Sequence, residues 1–145
     1  MSTVASLLKA KGSQVFTISR DASVLDAAIL MNEHKIGALV VSDDGQVEGI
    51  FTERDVLRRV VAARLDPANV KVGDVMTTDV IVCEADCAIE DARQIFRTRR
   101  IRHLPIVDQR GKLEGMISIG DLNAHKLDGQ EVTIHYLEEF IYGRV

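Results

Sequence analysis

Tryptophan is absent from this 145-residue chain, and aromatic residues make up only 4% of it. The 46% of hydrophobic positions must therefore build a core from Val, Ile, Leu, Ala and Met, and a flat ligand would find no aromatic cluster to stack on. No apolar run approaches the roughly 20 residues needed to span a bilayer. The first residues hold neither the basic stretch nor the long apolar segment of a secretory leader, so the chain reads as mature and cytoplasmic. Lysine and arginine collect in no dense arm, and the formal net charge is −4. Broad neutralisation of nucleic-acid phosphates is disfavoured, although a local basic pocket is compatible with that balance. The length suits one compact domain or two closely packed halves.

Cysteine is nearly absent too. Cys83 and Cys87 form a C-x-x-x-C pair, which lacks redox C-x-x-C spacing and has no second pair of zinc ligands nearby. They read as ordinary thiols at a strand-to-helix junction. The four histidines at 34, 103, 125 and 135 fall into no metal-binding group. There is no G-x-x-x-x-G-K-(S/T) loop, and no nucleophile stands at a recognisable spacing from a base. Neither catalytic residues nor a metal site are expected.

What the chain does contain is a repeat. Gly45-Gln-Val-Glu-Gly-Ile-Phe-Thr-Glu-Arg-Asp55 aligns without a gap on Gly111-Lys-Leu-Glu-Gly-Met-Ile-Ser-Ile-Gly-Asp121, an offset of 66 residues from Asp55 to Asp121. Upstream, Asp26-Ala27 matches Asp91-Ala92, and Ile36 with Leu39 matches Ile101 with Leu104, one residue closer. The extra residue lies in the turn between Asp108 and Gly111, where insertion is best tolerated.

Each copy reads as β-α-β-β-α. In the first, Val15–Ile18 is extended and Ser23-Val-Leu-Asp26 opens a helix to about His34. That helix has Val24, Ala28 and Met31 on one face and Leu25 and Ile29 beside it. Ile36–Val41 and Val47–Phe51 form a hairpin, and Thr52 starts a helix through Val56, Leu57, Val60 and Val61. In the second, Val80–Val82 is a strand, and Ile89, Ala92 and Phe96 mark a buried helical stripe. Leu104–Val107 and Leu113–Ile117 form a hairpin, and a helix starts near Ser118. The fold class is α/β (α+β), with the two small sheets packed face to face about a pseudo-twofold axis. Residues 1–12 form an N-terminal helix, 13–70 the first repeat, 71–128 the second, and 129–145 an amphipathic C-terminal helix for the core or a partner subunit.

The hairpin-to-helix junctions carry the polar chemistry. Thr52 and Ser118 stand at helix starts, where free N–H groups and the helix dipole favour an anion. Asp55 and Asp121, one turn on, could accept hydrogen bonds from a ribose diol. The same residues would also serve as capping boxes with no ligand at all. Arg54 in a first helical turn does not suit capping, and Arg102 and His103 enter a strand where the first repeat has Gly37 and Ala38. Both features favour a phosphate ligand.

On these motifs, with Val24-Leu25-Asp26-Ala27-Ala28, Ile36-Gly37-Ala38-Leu39-Val40-Val41, Asp74-Val75-Met76-Thr77 and Ile101-Arg102-His103-Leu104-Pro105-Ile106-Val107, residues 5–128 resemble tandem CBS (cystathionine-β-synthase) domains, a Bateman module. The resemblance implies a regulatory homodimer that binds an adenine nucleotide (AMP first, then ATP or NAD) or S-adenosylmethionine, without catalysis, and signals to a protein partner. It also implies composite pockets. Thr52, Arg54 and Asp55 would share one with Thr77, Val80, Ile81, Ile101 and Arg102. Ser118 and Asp121 would face Phe16, Ile36 and Gly37, with Arg102 or His103 near the phosphates. Gly120 in place of Arg54, and Gly37 in place of Arg102, make the two pockets unequal in charge. The alternative is a ligand-free dimeric interaction scaffold.

Overall fold

The computed structural model describes residues 2–12 and 14–127. The helix expected at 129–145 lies outside the described residues. Six helices and six strands follow in order: α1 (Val4–Lys11), β1 (Thr17–Ile18), α2 (Val24–His34), β2 (Ala38–Asp43), β3 (Gln46–Thr52), α3 (Glu53–Asp55, continued by a π-helical stretch, Val56–Val61), α4 (Val72–Val75), β4 (Cys83–Glu84), α5 (Ile89–Arg99), β5 (His103–Val107), β6 (Leu113–Ser118) and α6 (Ile119–Leu127). A short 3-10 turn, Pro67–Asn69, precedes α4. The strands form two three-stranded sheets, β1-β2-β3 and β4-β5-β6. In each the first pair is parallel and the second an antiparallel hairpin.

Leu39 and Val41 point from β2 into the core beneath α2, and Leu104 and Ile106 point from β5 into the core beneath α5. Alternation along a strand sends Ala38, Val40 and Pro105 to the opposite faces, and all three are buried there. Those faces belong to neither helical core, so each sheet covers the other. The hairpin turns are tied as well, by Leu113 N–H donating to Gly45 O at 2.9 Å.

The leading helices are exchanged between the halves. Val4, Leu7 and Leu8 of α1 pack into the core of the second repeat, with Phe96, Leu104 and Ile117. Val72 and Val75 of α4, with Met76, pack into that of the first, with Phe51, Val24 and Met31. Matching backbone bonds fix both: Val4 N–H donates to Cys87 O and Val72 N–H to Ala22 O, each at 2.8 Å. Gly49 permits the second exchange. A Cβ there would meet Met76 Sδ at 2.7 Å and the Thr77 carbonyl oxygen at 2.8 Å. Gly49→Ala is expected to cost about 2 kcal/mol, as overpacking against a backbone atom does; urea unfolding would measure it.

Three local expectations change. The strand expected at Val80–Val82 lies one step later, at Cys83–Glu84. Its place is set by parallel pairing with Ile106 and Val107, not by the β propensity of the preceding valines. Helix α2 buries Val24, Ala27 and Met31, whereas Leu25 and Ile29 are exposed and Ala28 is half-buried. After Asp55 the helix widens to π, with Ala62 N–H donating to Leu57 O. Val60 is buried, while Leu57 and Val61 remain 61% and 60% exposed.

α2 ends at Lys35 in the left-handed conformation (φ 54°). Glycine holds that conformation without a Cβ penalty. Lys35→Gly should therefore raise stability by roughly 0.5 kcal/mol, read from the denaturation midpoint.

Candidate functional site

Two cavities open where the repeats meet, and Gly37 and His103 line both. The first has a volume of about 400 Å³ and is lined by Thr52, Arg54, Thr77, Ile101 and Arg102 among the expected residues, with Ile50, Glu53 and Arg100 besides. The second, of about 260 Å³, is lined by Phe16, Ile36, Ser118 and Asp121, with Lys11, Gln14, Val15, Ala38, Met116 and Ile117. Val80 and Ile81 line neither; Ile81 packs against the core of the second repeat, because the strand begins later than the sequence suggests.

The first cavity is built by a matched pair of backbone locks. Glu53 N–H donates to Gly37 O and Ile119 N–H to Arg102 O, both at 3.0 Å. Each lock pins the entrance of one hairpin to the start of the following helix. Arg102 is thus held at its backbone, with its side chain exposed. Arg100, the left-handed C-cap of α5 (φ 55°), and Arg54 complete a group of three guanidinium side chains on this cavity. Opposing them is one carboxylate, Glu53, and Gly37 makes room for it: a Cβ there would lie 3.0 Å from Glu53 Oε1. The walls therefore carry net positive charge, suited to an anion of two or more charges.

Asp55 is on neither wall. It is only 6% exposed, and its carboxylate accepts from Thr52 N–H (3.0 Å), Thr52 Oγ1 (3.3 Å) and Thr77 Oγ1 (3.3 Å). Arg59, from the π-helical stretch, lies 3.7 Å from its Oδ1 and donates to the carbonyls of Val75 and Met76 at 3.2 and 3.0 Å. The capping role open to Asp55 is thus realised, and it extends across to the exchanged helix α4. Asp121 makes the equivalent box, accepting from Ser118 N–H at 2.8 Å, but it also faces the second cavity.

His103 pairs with Ser118 between β5 and β6. Burial lowers its pKa, Arg102 and more weakly Lys11 lower it further, and Asp121 and Glu53 oppose them. With a folded pKa below the unfolded one, the neutral ring favours folding. That contribution is complete above the unfolded value near pH 6.5 and is lost as pH falls from there through the lower folded value, since over that window the unfolded chain binds the extra proton. Stability against pH, measured by urea unfolding, should therefore decline less steeply below about pH 6.5 in His103→Gln than in the native chain.

Lys11, Gln14, Glu53 and Arg100 are cavity residues that the repeat motifs do not single out. The cysteines take no part in either cavity. Both are free, and the Cys83 thiol is pushed up to about 12 by burial first and by neighbouring Cys87 next, which disfavours a reactive thiolate. Among the described residues no group of three His, Cys, Asp or Glu could hold a metal ion, and no helix is long and apolar enough to cross a membrane.

Comparison with known proteins decides the family. The CBS domain profile matches residues 11–62 and 72–127. The chain belongs to the CBS-domain family. It is 35% identical over 118 residues to the CBS domain-containing protein YhcV of Bacillus subtilis, covering 81% of this chain and 83% of that one. A Burkholderia ambifaria protein with CBS domains, provisionally assigned to signal transduction, superposes with a TM-score of 0.84 at 38% identity, covering 90% of this chain and 97% of that one. The CBS domain pair of protein MJ0100, solved with 5′-methylthioadenosine and S-adenosyl-L-methionine, superposes at 0.77 over 87% of this chain and 96% of that one. Its 20% identity carries the fold alone. The two CBS repeats of this chain thus pair as in those structures, with mixed three-stranded sheets flanked by helices.

Proposed function

We propose that this CBS pair is a regulatory sensor, without catalysis, that binds an adenine nucleotide in the arginine-lined cavity. AMP is the first candidate, then ATP or NAD. The observation that carries the reading is the convergence of Arg54, Arg100 and Arg102 with the Thr52 and Thr77 hydroxyls on one cavity. Its volume of about 400 Å³ lies in the usual range for small-molecule sites, about 300–1,000 Å³. Phosphate would lie among the guanidinium groups, which bind it bidentately. The base would lie against Ile50 and Ile101, and the ribose would take the place of Thr77 Oγ1 on Asp55. The adenosine-containing ligands of the MJ0100 pair support the chemical class.

The signal would pass to a protein partner in the cytoplasm, from a homodimer. Exposed Leu25, Ile29, Leu57 and Val61 on α2 and the π-helical stretch supply an apolar face for self-association. Leu57→Asp should then convert a dimer to a monomer in light scattering; an unchanged mass would reject this face.

The binding test is isothermal titration calorimetry with AMP, ATP and NAD. Saturable heat with any one of them, weakened by Arg102→Ala, supports the sensor. A second reading, the ligand-free dimeric scaffold, draws on the closed capping boxes of Asp55 and Asp121. It predicts no heat with any of the three, and substitutions at either aspartate that alter stability alone.

A further inference from the structure

Lys11 in one half and Thr77 in the other reach the paired aspartates, Asp121 and Asp55, with different chemistry. Thr77 follows α4, and its backbone pairs with Ile50 on β3, each N–H donating to the other's carbonyl at 2.9 Å. Its hydroxyl reaches Asp55. Lys11 ends α1, and its ammonium donates to the carbonyl of Met116, the repeat mate of Ile50, at 2.8 Å. The same ammonium lies 2.7 Å from Asp121 Oδ2, the repeat mate of Asp55. A neutral hydroxyl in one half is thus replaced by a cation in the other. The position of the cation is set by packing, since Val4, Leu7 and Leu8 bury α1 in the second-repeat core.

Three consequences point the same way. The Asp121 oxygen that faces Lys11 already accepts from Ser118 N–H, so a diol approaching it must displace a charged donor rather than a hydroxyl. An ion pair at that distance, with both side chains partly buried (31% and 24% exposed), holds more strongly than a neutral hydrogen bond. Charge follows the same asymmetry: Gly120 and Gly37 stand where the other half has Arg54 and Arg102, and Lys11 is neutralised by Asp121. The second cavity therefore offers little net attraction to a phosphate. At about 260 Å³ it is also smaller than the first, and below the roughly 300 Å³ at which small-molecule sites begin.

We infer that Lys11 is the residue that closes the second cavity to a nucleotide, so that each chain holds one nucleotide and not two. This rests on the nucleotide reading of the first cavity and assigns the difference between the two sites to a single side chain. Replacing Lys11 by threonine removes the cation and frees Asp121.

The test is the number of AMP molecules bound per chain, by calorimetry and equilibrium dialysis, for the native chain, Lys11→Thr and Lys11→Met. Thermal unfolding of each variant confirms that it folds, and Lys11→Met keeps most of the aliphatic stem if Lys11→Thr does not. The expected result is one AMP per native chain, weakened by Arg102→Ala and unaffected by Asp121→Asn. The Lys11 variants should bind two, the second lost again on adding Asp121→Asn, a dependence that a merely structural role for Lys11 would not produce. Two AMP per native chain, or one per chain in folded Lys11 variants, overturns the inference and leaves the sensor reading intact. Binding to the Lys11 variants alone overturns the first-cavity reading while the Lys11 closure stands. No binding to any of the proteins overturns both.

Discussion

Asp55→Ala is expected to lower the free energy of unfolding by about 3 kcal/mol, about three times the loss for Asp121→Ala. The two aspartates occupy the same place in the repeat, and a capping residue alone is worth about 1 kcal/mol. Their surroundings separate them. Asp55 satisfies the Thr52 amide, the Thr52 hydroxyl and the Thr77 hydroxyl from a buried position. Removing it takes a shared acceptor from three part-buried donors, on Thr52 and on Thr77 beside the exchanged helix α4, each hydrogen bond worth about 1 kcal/mol. Arg59 adds little, because it is half exposed and its charge can return to water. Asp121, by contrast, satisfies one backbone amide and a lysine that can turn to solvent. Urea unfolding of both variants measures the gap. In thermal unfolding it should separate the midpoints by several degrees, at roughly 3 °C per kcal/mol for a chain of this size. Equal losses near 1 kcal/mol would mean that the Asp55–Thr77 contact contributes nothing across the repeats.

Arg102→Ala is expected to weaken AMP binding by 10- to 100-fold, corresponding to the roughly 1.5–3 kcal/mol of a hydrogen bond to a charged group. The backbone of Arg102 is tied to Ile119, so the substitution removes a side chain from a preserved frame. Its midpoint of unfolding should move little, because the side chain is exposed. Arg54→Ala and Arg100→Ala should each weaken binding too, since each removes one of the three guanidinium groups on the cavity. The native affinity should fall as salt is raised from about 50 to about 200 mM, because screening acts on these accessible charges. The slope should be shallower in Arg102→Ala. Calorimetry at the two salt concentrations checks both statements. A loss of affinity without a change in salt dependence would place Arg102 in packing rather than in phosphate contact.

Much of this architecture is legible in the chain because it is written twice. The 65-residue offset that aligns Leu39 with Leu104 also carries Ile18 onto Cys83 and Val41 onto Ile106. Those pairs are the actual register of the two parallel ladders. The repeat located β4 better than local β propensity did at Val80–Val82. Ser23 and Thr52 cap their helices through Asp26 and Asp55 as their spacing implies. Ala88, which lacks a side-chain oxygen, leaves α5 without such a cap.

Sequence alone thus determined most of the secondary elements, though not α4 or the place of β4, together with the hairpins, the repeat and the residue types that could meet an anion. These follow from short-range rules: alternation, helical period, capping and turn chemistry act over a few residues and are repeated here in both halves. Tertiary structure decided the rest. It exchanged α1 and α4 between the cores, turned Asp55 into its own helix and toward Thr77, left Leu57 and Val61 exposed, and brought Lys11 onto Asp121, 110 positions away in the chain. No local pattern encodes those choices, because they depend on which apolar face is covered by which distant element. Once α1 is buried against the second repeat, its last residue has to meet the second cavity.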